Sequence, residues 1–230
     1  MTYPFLLEFC FGELVPTGYV ISFLILPQTP LLSITPSERL LIQPLTYADA
    51  KVIIRIRSIP EVSRYQGWEP KEEKEIHSLV DKMNDCGLLA PGQWFQFTIT
   101  EKETQRLIGD CGIHPVASDR RQVDIGVTID PQFQKMGYAT EAIHSLLDFL
   151  FKQTDTHRAS ASIDPRNEPS IRLFEKLRFR KEAHLVESLW FKDEWVDDLI
   201  MAILRKEWLL PNKAFQAMPV SLRSAGIAST

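Results

Sequence analysis

The stretch of this chain with the most obvious chemical potential runs from Asp124 to Leu147, DIGVTIDPQFQKMGYATEAIHSLL. An alternating segment ends at Ile129, a loop with Gln132, Gln134 and Lys135 follows, and a helical period begins near Gly137. The first amides of a helix lack intrahelical acceptors, so they point outward as donors. Gly137 and the small Ala139 allow a ligand close to the backbone, and Lys135 adds charge beside the positive helix end. Together these features suit a phosphate or pyrophosphate. The same glycine and alanine would equally serve close packing of helix on strand. The chain has no GxxxxGKS/T run, and its glycine-poor turn is not GxGxxG, which leaves the P-loop and dinucleotide readings weak.

Two carboxylates lie in strand-like segments. Asp124 alternates out of phase with the apolar residues of its segment, and Asp110 ends the run Leu107–Asp110. A lone carboxylate needs burial or a water relay to act as a base near neutral pH. An ordinary solvated residue is the alternative reading of Asp124. Asn167 is a good N-cap for a helix opening at Glu168-Pro169. Between the first two helices lies RYQGWEP, where Tyr65 and Trp68 offer flat faces beside Arg64 and Glu69. That pattern reads as a cation-binding lip or as packing of Trp68 on the second helix. Trp190, Phe191 and Trp195 form a second aromatic group, suited to the other side of a cleft or to a contact between subunits in a homodimer. The five histidines have no metal-ligand spacing, His114 beside Pro115 being the one that could approach a cleft, and no metal is expected.

The elements that must position these groups follow from periodicity. A strand is predicted at Leu40–Gln43 and a helix from Tyr47 to Ser58, with Thr46 as N-cap, Asp49 three residues on, and Pro60 as its stop. A second helix spans Glu72 to Asp85, and strands follow at Trp94–Thr100, Leu107–His114 and Gln122–Ile129. After Asp130-Pro131, the residues Ile143, Leu146, Leu147 and Leu150 form one stripe of a helix from Gly137 to Lys152. A strand at Arg158–Ile163, a helix from Pro169 to Leu177 and strands near Phe179–Val186 and Asp198–Leu204 complete the body. Helices inserted among strands in this order imply an α/β or α+β three-layer body.

Composition sets the outer bounds. The 230 residues carry 26 Lys and Arg against 30 Asp and Glu, and 44% are hydrophobic. That excludes a wholly disordered chain and argues against a nucleic-acid coat, which needs a concentrated positive footprint. Cys10, Cys86 and Cys111 are too scattered for a disulfide scaffold, so a reduced, cytoplasmic setting is expected. The apolar run Val20–Leu26 falls far short of the roughly 20 residues that cross a bilayer, so no membrane association is expected. Residues 1–36 read as an apolar, Pro-broken N-terminal extension, 37–208 as one domain and 209–230 as a flexible tail.

The sequence Gln134-Lys135-Met136-Gly137-Tyr138-Ala139 resembles the Q/R-x-x-G-x-G/A motif of the GCN5-related N-acetyltransferase (GNAT) superfamily. Asn167-Glu168-Pro169-Ser170, Leu173 to Leu177 and Phe179 resemble its N-x-x-S-x-x-L-x-E-K-x-G-F stretch, with Arg178 in place of the glycine. Should that position need a positive φ, Arg178 would carry strain of roughly 1 kcal/mol. Ser37–Pro44 resembles the family's opening strand, and the residues around Gly137-Tyr138-Ala139-Thr140 resemble the branch that acetylates ribosomal-protein N-termini (RimJ/RimL).

The resemblance implies a three-layer α/β/α acyl-CoA N-acyltransferase fold with a mixed, mostly antiparallel, splayed central sheet. It implies acetyl-CoA as co-substrate, and attack of a neutral amine on its thioester. The amine acceptor would be a small molecule or a peptide N-terminus. Residues Gln134, Lys135, Met136, Gly137, Tyr138, Ala139 and Thr140 would hold the pyrophosphate. Val127, Thr128 and Ile129 would offer groups to the pantetheine arm, Asn167 would position that arm or a water, and Ser170 would protonate the leaving sulfur. Asp124, with Asp110 as runner-up, would be the base, and Tyr65 and Trp68 would line the acceptor site. A non-catalytic CoA- or peptide-binding relative is the alternative.

Overall fold

The computed structural model describes residues 37–211. The extension expected over 1–36, and the tail expected over 209–230 beyond Pro211, lie outside the described residues. Seven strands form one sheet: β1 (Leu40–Pro44), β2 (Phe95–Glu101), β3 (Leu107–Val116), β4 (Asp119–Ile129), β5 (Arg158–Ile163), β6 (Arg180–Phe191) and β7 (Glu194–Leu204). Their order is β1-β2-β3-β4-β5-β7-β6, and every pairing is antiparallel except β4 with β5. The helices are α1 (Ala50–Arg57), α2 (Pro60–Ser63), α3 (Glu73–Cys86), α4 (Tyr138–Gln153), α5 (Glu168–Lys176) and α6 (Arg205–Trp208).

Alternation along β3 and β4 sorts the sheet into two unlike faces. Cys111, Ile113, Val123 and Ile125 are buried on one face, where α4 seats Ile143, Leu146, Leu147 and Leu150, the stripe predicted from the sequence. Asp110, Gly112 and His114 stand opposite Thr128, Gly126 and Asp124 on the other face. There α1 supplies Arg57, which bonds Asp110. The result is the expected three-layer α/β/α body with an open, mixed, mostly antiparallel sheet. No helix among the described residues is long and apolar enough to cross a membrane.

Several boundaries differ from the periodicity reading. Residues Tyr47–Asp49 form a 3-10 turn ahead of α1, with the Asp49 carboxylate accepting from the Thr46 amide at 2.8 Å and hydroxyl at 2.6 Å. Pro60 opens the short helix α2 as well as following α1, because its fixed φ suits a first helical position. Strands β6 and β7 run well past the expected ends at Val186 and Asp198 and close at Lys192-Asp193, with φ of 49° and 65°. No glycine or asparagine marks that turn. A bulge between Leu185 and Leu189, with Glu187 at φ 44°, also interrupts the alternation that would have revealed the hairpin. Arg178 has φ 69°, so the replaced glycine position does require a left-handed residue.

Candidate active site

Strands β4 and β5 pair only through Gln122 with Arg158, Val123 with Ala159 and Asp124 with Ser160, and then part into a wedge. The Asp130 amide donates to the Ile108 carbonyl at 2.8 Å. In an antiparallel ladder this parity turns the backbone groups of Asp124, Gly126 and Thr128 toward β3, and those of Ile125, Val127 and Ile129 toward the wedge. Val127 and Ile129 therefore present main-chain groups there, the Ile129 carbonyl also accepting from Gln134 Nε2 at 2.9 Å. Thr128 does not, and the expectation for it is corrected. Its carbonyl faces β3, where a Cβ on Gly109 would run into it, and its hydroxyl is buried without a partner.

The loop after β4 is pinned at its start. Asp130 accepts from the Gln132 amide at 3.0 Å and from Arg55 of α1 at 2.9 Å. The amides of Phe133 and Gln134 return to the carbonyls of Asp130 and Pro131. The backbone then reverses through two left-handed residues, Lys135 at φ 63° and Gly137 at φ 85°. From Lys135 to Thr140, none of the six amides has an acceptor among the described residues, and helical bonding begins with Glu141 N to Gly137 O at 3.0 Å. The Gln134 amide is thus already engaged, and the free donors belong to the six residues after it. Unbonded amides at the positive end of the 16-residue helix α4 have the chemistry that suits an anion.

A strap at the helix start holds this segment. Arg39 gives its amide to Glu141 Oε1 and its Nε to Oε2, both at 2.7 Å, and its Nη1 to the Met136 carbonyl at 3.1 Å. Burial alone would push the Glu141 carboxyl up, but the Arg39 bonds outweigh it and hold the carboxyl below its ordinary value. The Arg39 guanidinium lies 4.4 Å over the Tyr138 ring, and the Tyr138 hydroxyl donates to Glu101. That bond raises the Tyr138 phenol above its ordinary value. The Tyr138 side chain is thus a brace between Arg39 and Glu101.

The face toward α1 carries the other candidates. Asp124 stands at the apex of the wedge. Its Oδ1 accepts from Ser160 Oγ at 2.8 Å, and its Oδ2 lies 3.7 Å from His114 Nδ1. The His114 ring stacks on Trp94 at 5.1 Å. Asp110, expected as the alternative base, is fully buried. Its oxygens bond Arg57 Nε at 3.3 Å and Nη2 at 2.5 Å, and Gln96 Nε2 as well. A carboxylate sealed under an arginine has no path to a substrate amine, so that expectation is corrected. The Gln96 side chain crosses directly over Gly112, where any Cβ would collide with it. Trp68 lies partly buried against the core, with the Arg57 guanidinium 4.5 Å over its ring and Arg57 Nη1 bonding its carbonyl at 3.1 Å. It covers the buried ion pair, so the packing alternative describes this residue.

Tyr65 reaches the loop that leads into Asn167. The Tyr65 hydroxyl donates to the Arg166 carbonyl at 3.3 Å. Asn167 caps α5 by accepting from the Ser170 amide at 3.3 Å, while its own side-chain amide and the Ser170 hydroxyl bond no described residue. The β6–β7 turn closes this side: Lys192 bonds the Ser63 carbonyl at 2.7 Å and pairs with Glu69, and Glu194 pairs with Arg166 at 2.9 Å. Lys192, with Lys71, holds the Glu69 carboxyl below its ordinary value.

Three contributors escaped sequence reasoning. The Lys192 anchor lies in a hairpin the alternation did not reveal. Gly126 leaves open space on this face, where an added Cβ would meet nothing within 4 Å. Asp198 was read only as the start of a strand, although its place in the alternation brings it to Ser162.

The chain is similar to known proteins in sequence and fold. The chain is 30% identical over 173 residues to the uncharacterized N-acetyltransferase p20 of Bacillus licheniformis, covering 75% of this chain and 96% of that protein. A crystal structure of a GNAT-family acetyltransferase from Bacillus anthracis matches with a TM-score of 0.65 at 27% identity, over 74% of this chain and 98% of that one. Spermidine N-acetyltransferase from Vibrio cholerae, solved in complex with CoA and spermine, matches with a TM-score of 0.65 at 21% identity, over 75% of this chain and 99% of that one. None of these three carries a ribosomal-protein name, so they lend nothing to the RimJ/RimL branch. Residues 39–180 match the family described as acetyltransferase (GNAT) domain, and the chain belongs to that family.

Proposed function

We propose that this protein transfers the acetyl group of acetyl-CoA to a primary amine by direct attack, with the cradle at 135–140 holding the pyrophosphate. The observation that carries this reading is the set of six unbonded amides beside the wedge where β4 leaves β5. A diphosphate is matched by unbonded N–H donors, a helix N-terminus and Lys135, which makes no ion pair among the described residues. The backbone groups of Val127 and Ile129 line the path from cradle to apex, as a pantetheine amide chain requires. Acetyl-CoA supplies a thioester as acyl donor.

The protein's own tasks are to take a proton from the amine, to face donors toward the acyl oxygen and to deliver a proton to sulfur. Asp124 is the proposed group for the first, and its bond with Ser160 and its half-exposed position support that role. Amides of the wedge edge suit the second. The unbonded Ser170 hydroxyl, with the Asn167 side-chain amide next to it, suits the third. The acceptor is a small amine in preference to a peptide N-terminus. The relative solved with spermine supports this choice, as do the carboxylates Asp124 and Asp198 on the acceptor face.

Calorimetric titration of the folded protein with CoA is expected to show saturable binding at one site, and thiol release should follow with at least one amine of a mono- and diamine panel. Asp124→Asn should lower kcat/KM at neutral pH and flatten its pH profile while leaving CoA affinity intact. Absence of CoA binding by the wild type refutes the reading, and an unchanged pH profile removes Asp124 from the base role.

A further inference from the structure

Asp124 does not stand alone. Its direct cross-strand partner on β3 is His114, and His114 Nδ1 lies 3.7 Å from Asp124 Oδ2. The other carboxylate oxygen is fixed by Ser160, whose hydroxyl donates to Oδ1 at 2.8 Å. The imidazole is held in turn by Trp94, whose ring stacks on it with centroids 5.1 Å apart and planes at 23°. Gly112, one same-face position before His114, makes room for that indole, since an added Cβ would lie 3.2 Å from Trp94 Cε3. Neither ring nitrogen of His114 makes a hydrogen bond among the described residues, so no other group there competes for its proton.

The surroundings leave these two groups to set each other's charge. Asp124 is the one charged side chain within ion-pair distance of His114 among the described residues. Asp110, two same-face positions back on β3, is neutralised by Arg57. Arg158, which stands across from Gln122 on β5, pairs with Glu182. From β2 and the segment before it come Trp94 and Gln96, both neutral, and residues 87–94 include no charged side chain. The Asp124 side chain is 45% exposed and that of His114 29%. A solvated carboxylate ordinarily binds a proton only below about pH 4, whereas an imidazole does so below about pH 6.5. A carboxylate that accepts a proton near neutral pH therefore needs a neighbour that can keep it.

We propose that Asp124 and His114 form a two-group proton relay, in which His114 stores the proton that the acceptor amine loses. This inference rests on the acyl-transfer reading with Asp124 as the receiver. The proton leaves the substrate ammonium for Asp124 Oδ2 and passes to His114 Nδ1, the nitrogen that must start unprotonated, with hydrogen on Nε2. The neutral amine then bonds to the thioester carbon. The carbon–sulfur bond breaks, sulfur keeps its electron pair, and the surplus proton on the new amide nitrogen goes to sulfur. The imidazolium returns its proton to water, so the products are amide, thiol and one released proton. The 3.7 Å gap exceeds a hydrogen bond by about 0.8 Å, a slack that proton-transfer contacts commonly show before substrate binds. His114 acts through Asp124 and is a positioning residue.

The test measures kcat by thiol release from about pH 5 to pH 8.5, with acetyl-CoA and the fastest amine of the panel both saturating. The wild type should lose activity through the imidazole range, about pH 6 to 7. His114→Gln keeps a polar side chain but cannot hold a proton. It should lower kcat at neutral pH by about tenfold or more and move the break below about pH 5.5, with CoA affinity unchanged. A merely structural role would lower kcat and leave the break where it was. A wild-type profile without a break in the imidazole range overturns the inference, and so does a break that His114→Gln leaves in place. Should that variant fail to fold, the wild type and Asp124→Asn decide: the break must vanish in Asp124→Asn, and its persistence there refutes the relay. Failure of the wild type to bind CoA, or to acetylate any amine, defeats the acyl-transfer reading instead, and this inference with it.

Discussion

Gly126 offers a sharp separation of stability from function. It is a strand glycine with no positive φ and nothing within 4 Å of an added Cβ. Neither packing nor backbone conformation requires it, and glycine in a strand interior carries an entropic penalty. Gly126→Ala should therefore stabilise the fold by about 0.4–1 kcal/mol. For a domain of this size that corresponds to a rise in Tm of roughly 1–4 °C. Gly112, its cross-strand partner, is the control: a Cβ there collides with the Gln96 side chain, so Gly112→Ala should cost about 1–3 kcal/mol.

The same bare strand lies between Asp124 and Thr128 on the acceptor face, where a ligand can approach closely. Gly126→Ala should lower kcat/KM for the amine, Gly126→Val should lower it further, and both should leave CoA affinity in place. Differential scanning fluorimetry, thiol release and CoA calorimetry on the same preparations read all three quantities. Loss of stability in Gly126→Ala comparable to that in Gly112→Ala would show a packing role. Full activity in Gly126→Val would show that no substrate passes over this strand.

The remaining predictions concern the groups that hold the site in place. Asp110→Asn should destabilise the fold strongly, because breaking a buried ion pair costs about 3–5 kcal/mol, and urea denaturation should show it as a lower midpoint. Undiminished stability with abolished activity would instead return Asp110 to the role of base. The Arg39–Glu141 strap should respond to acid. Because Arg39 depresses the folded Glu141 carboxyl, the strap contributes fully above the ordinary glutamate value of about 4.3 and is lost as pH falls through the lower folded value. The difference in Tm between wild type and Glu141→Gln should accordingly shrink between about pH 6 and pH 3, and a constant difference over that range would contradict this account.

The cofactor side of the site was far more legible in the sequence than the acceptor side. Periodicity switches from two to about three and a half at Asp130-Pro131, and a left-handed turn with an amide-rich helix start needs a local signature, which Gly137 and Ala139 provide. The acceptor side is assembled from residues distant in the chain. Asp110 and Asp124 look alike in sequence, each a carboxylate in an alternating strand. Only the arrival of Arg57 from α1 and Gln96 from β2 seals one and leaves the other open. Likewise nothing local to Asp198 indicates that Ser162 would be its hydrogen-bond partner. The β6–β7 hairpin was hidden for a different reason. Its turn uses lysine and aspartate at positive φ, and a bulge at Glu187 breaks the alternation on which a strand assignment depends.

Arg178 ties the end of α5 to the end of the described chain. Its backbone occupies a region that suits glycine, while its guanidinium bonds the carbonyls of Trp208 at 2.7 Å and Leu210 at 3.2 Å and lies 5.0 Å over the Trp208 ring. The torsional penalty and the latch reside in one residue, so glycine here would relax the corner and at the same moment release the segment after α6. Trp208 in turn bonds Asp148 of α4, the helix whose opposite end carries the proposed anion cradle. Trimming a few residues after Leu204 would therefore be felt by the scaffold beneath the cofactor loop, although the cut lies far from it along the chain.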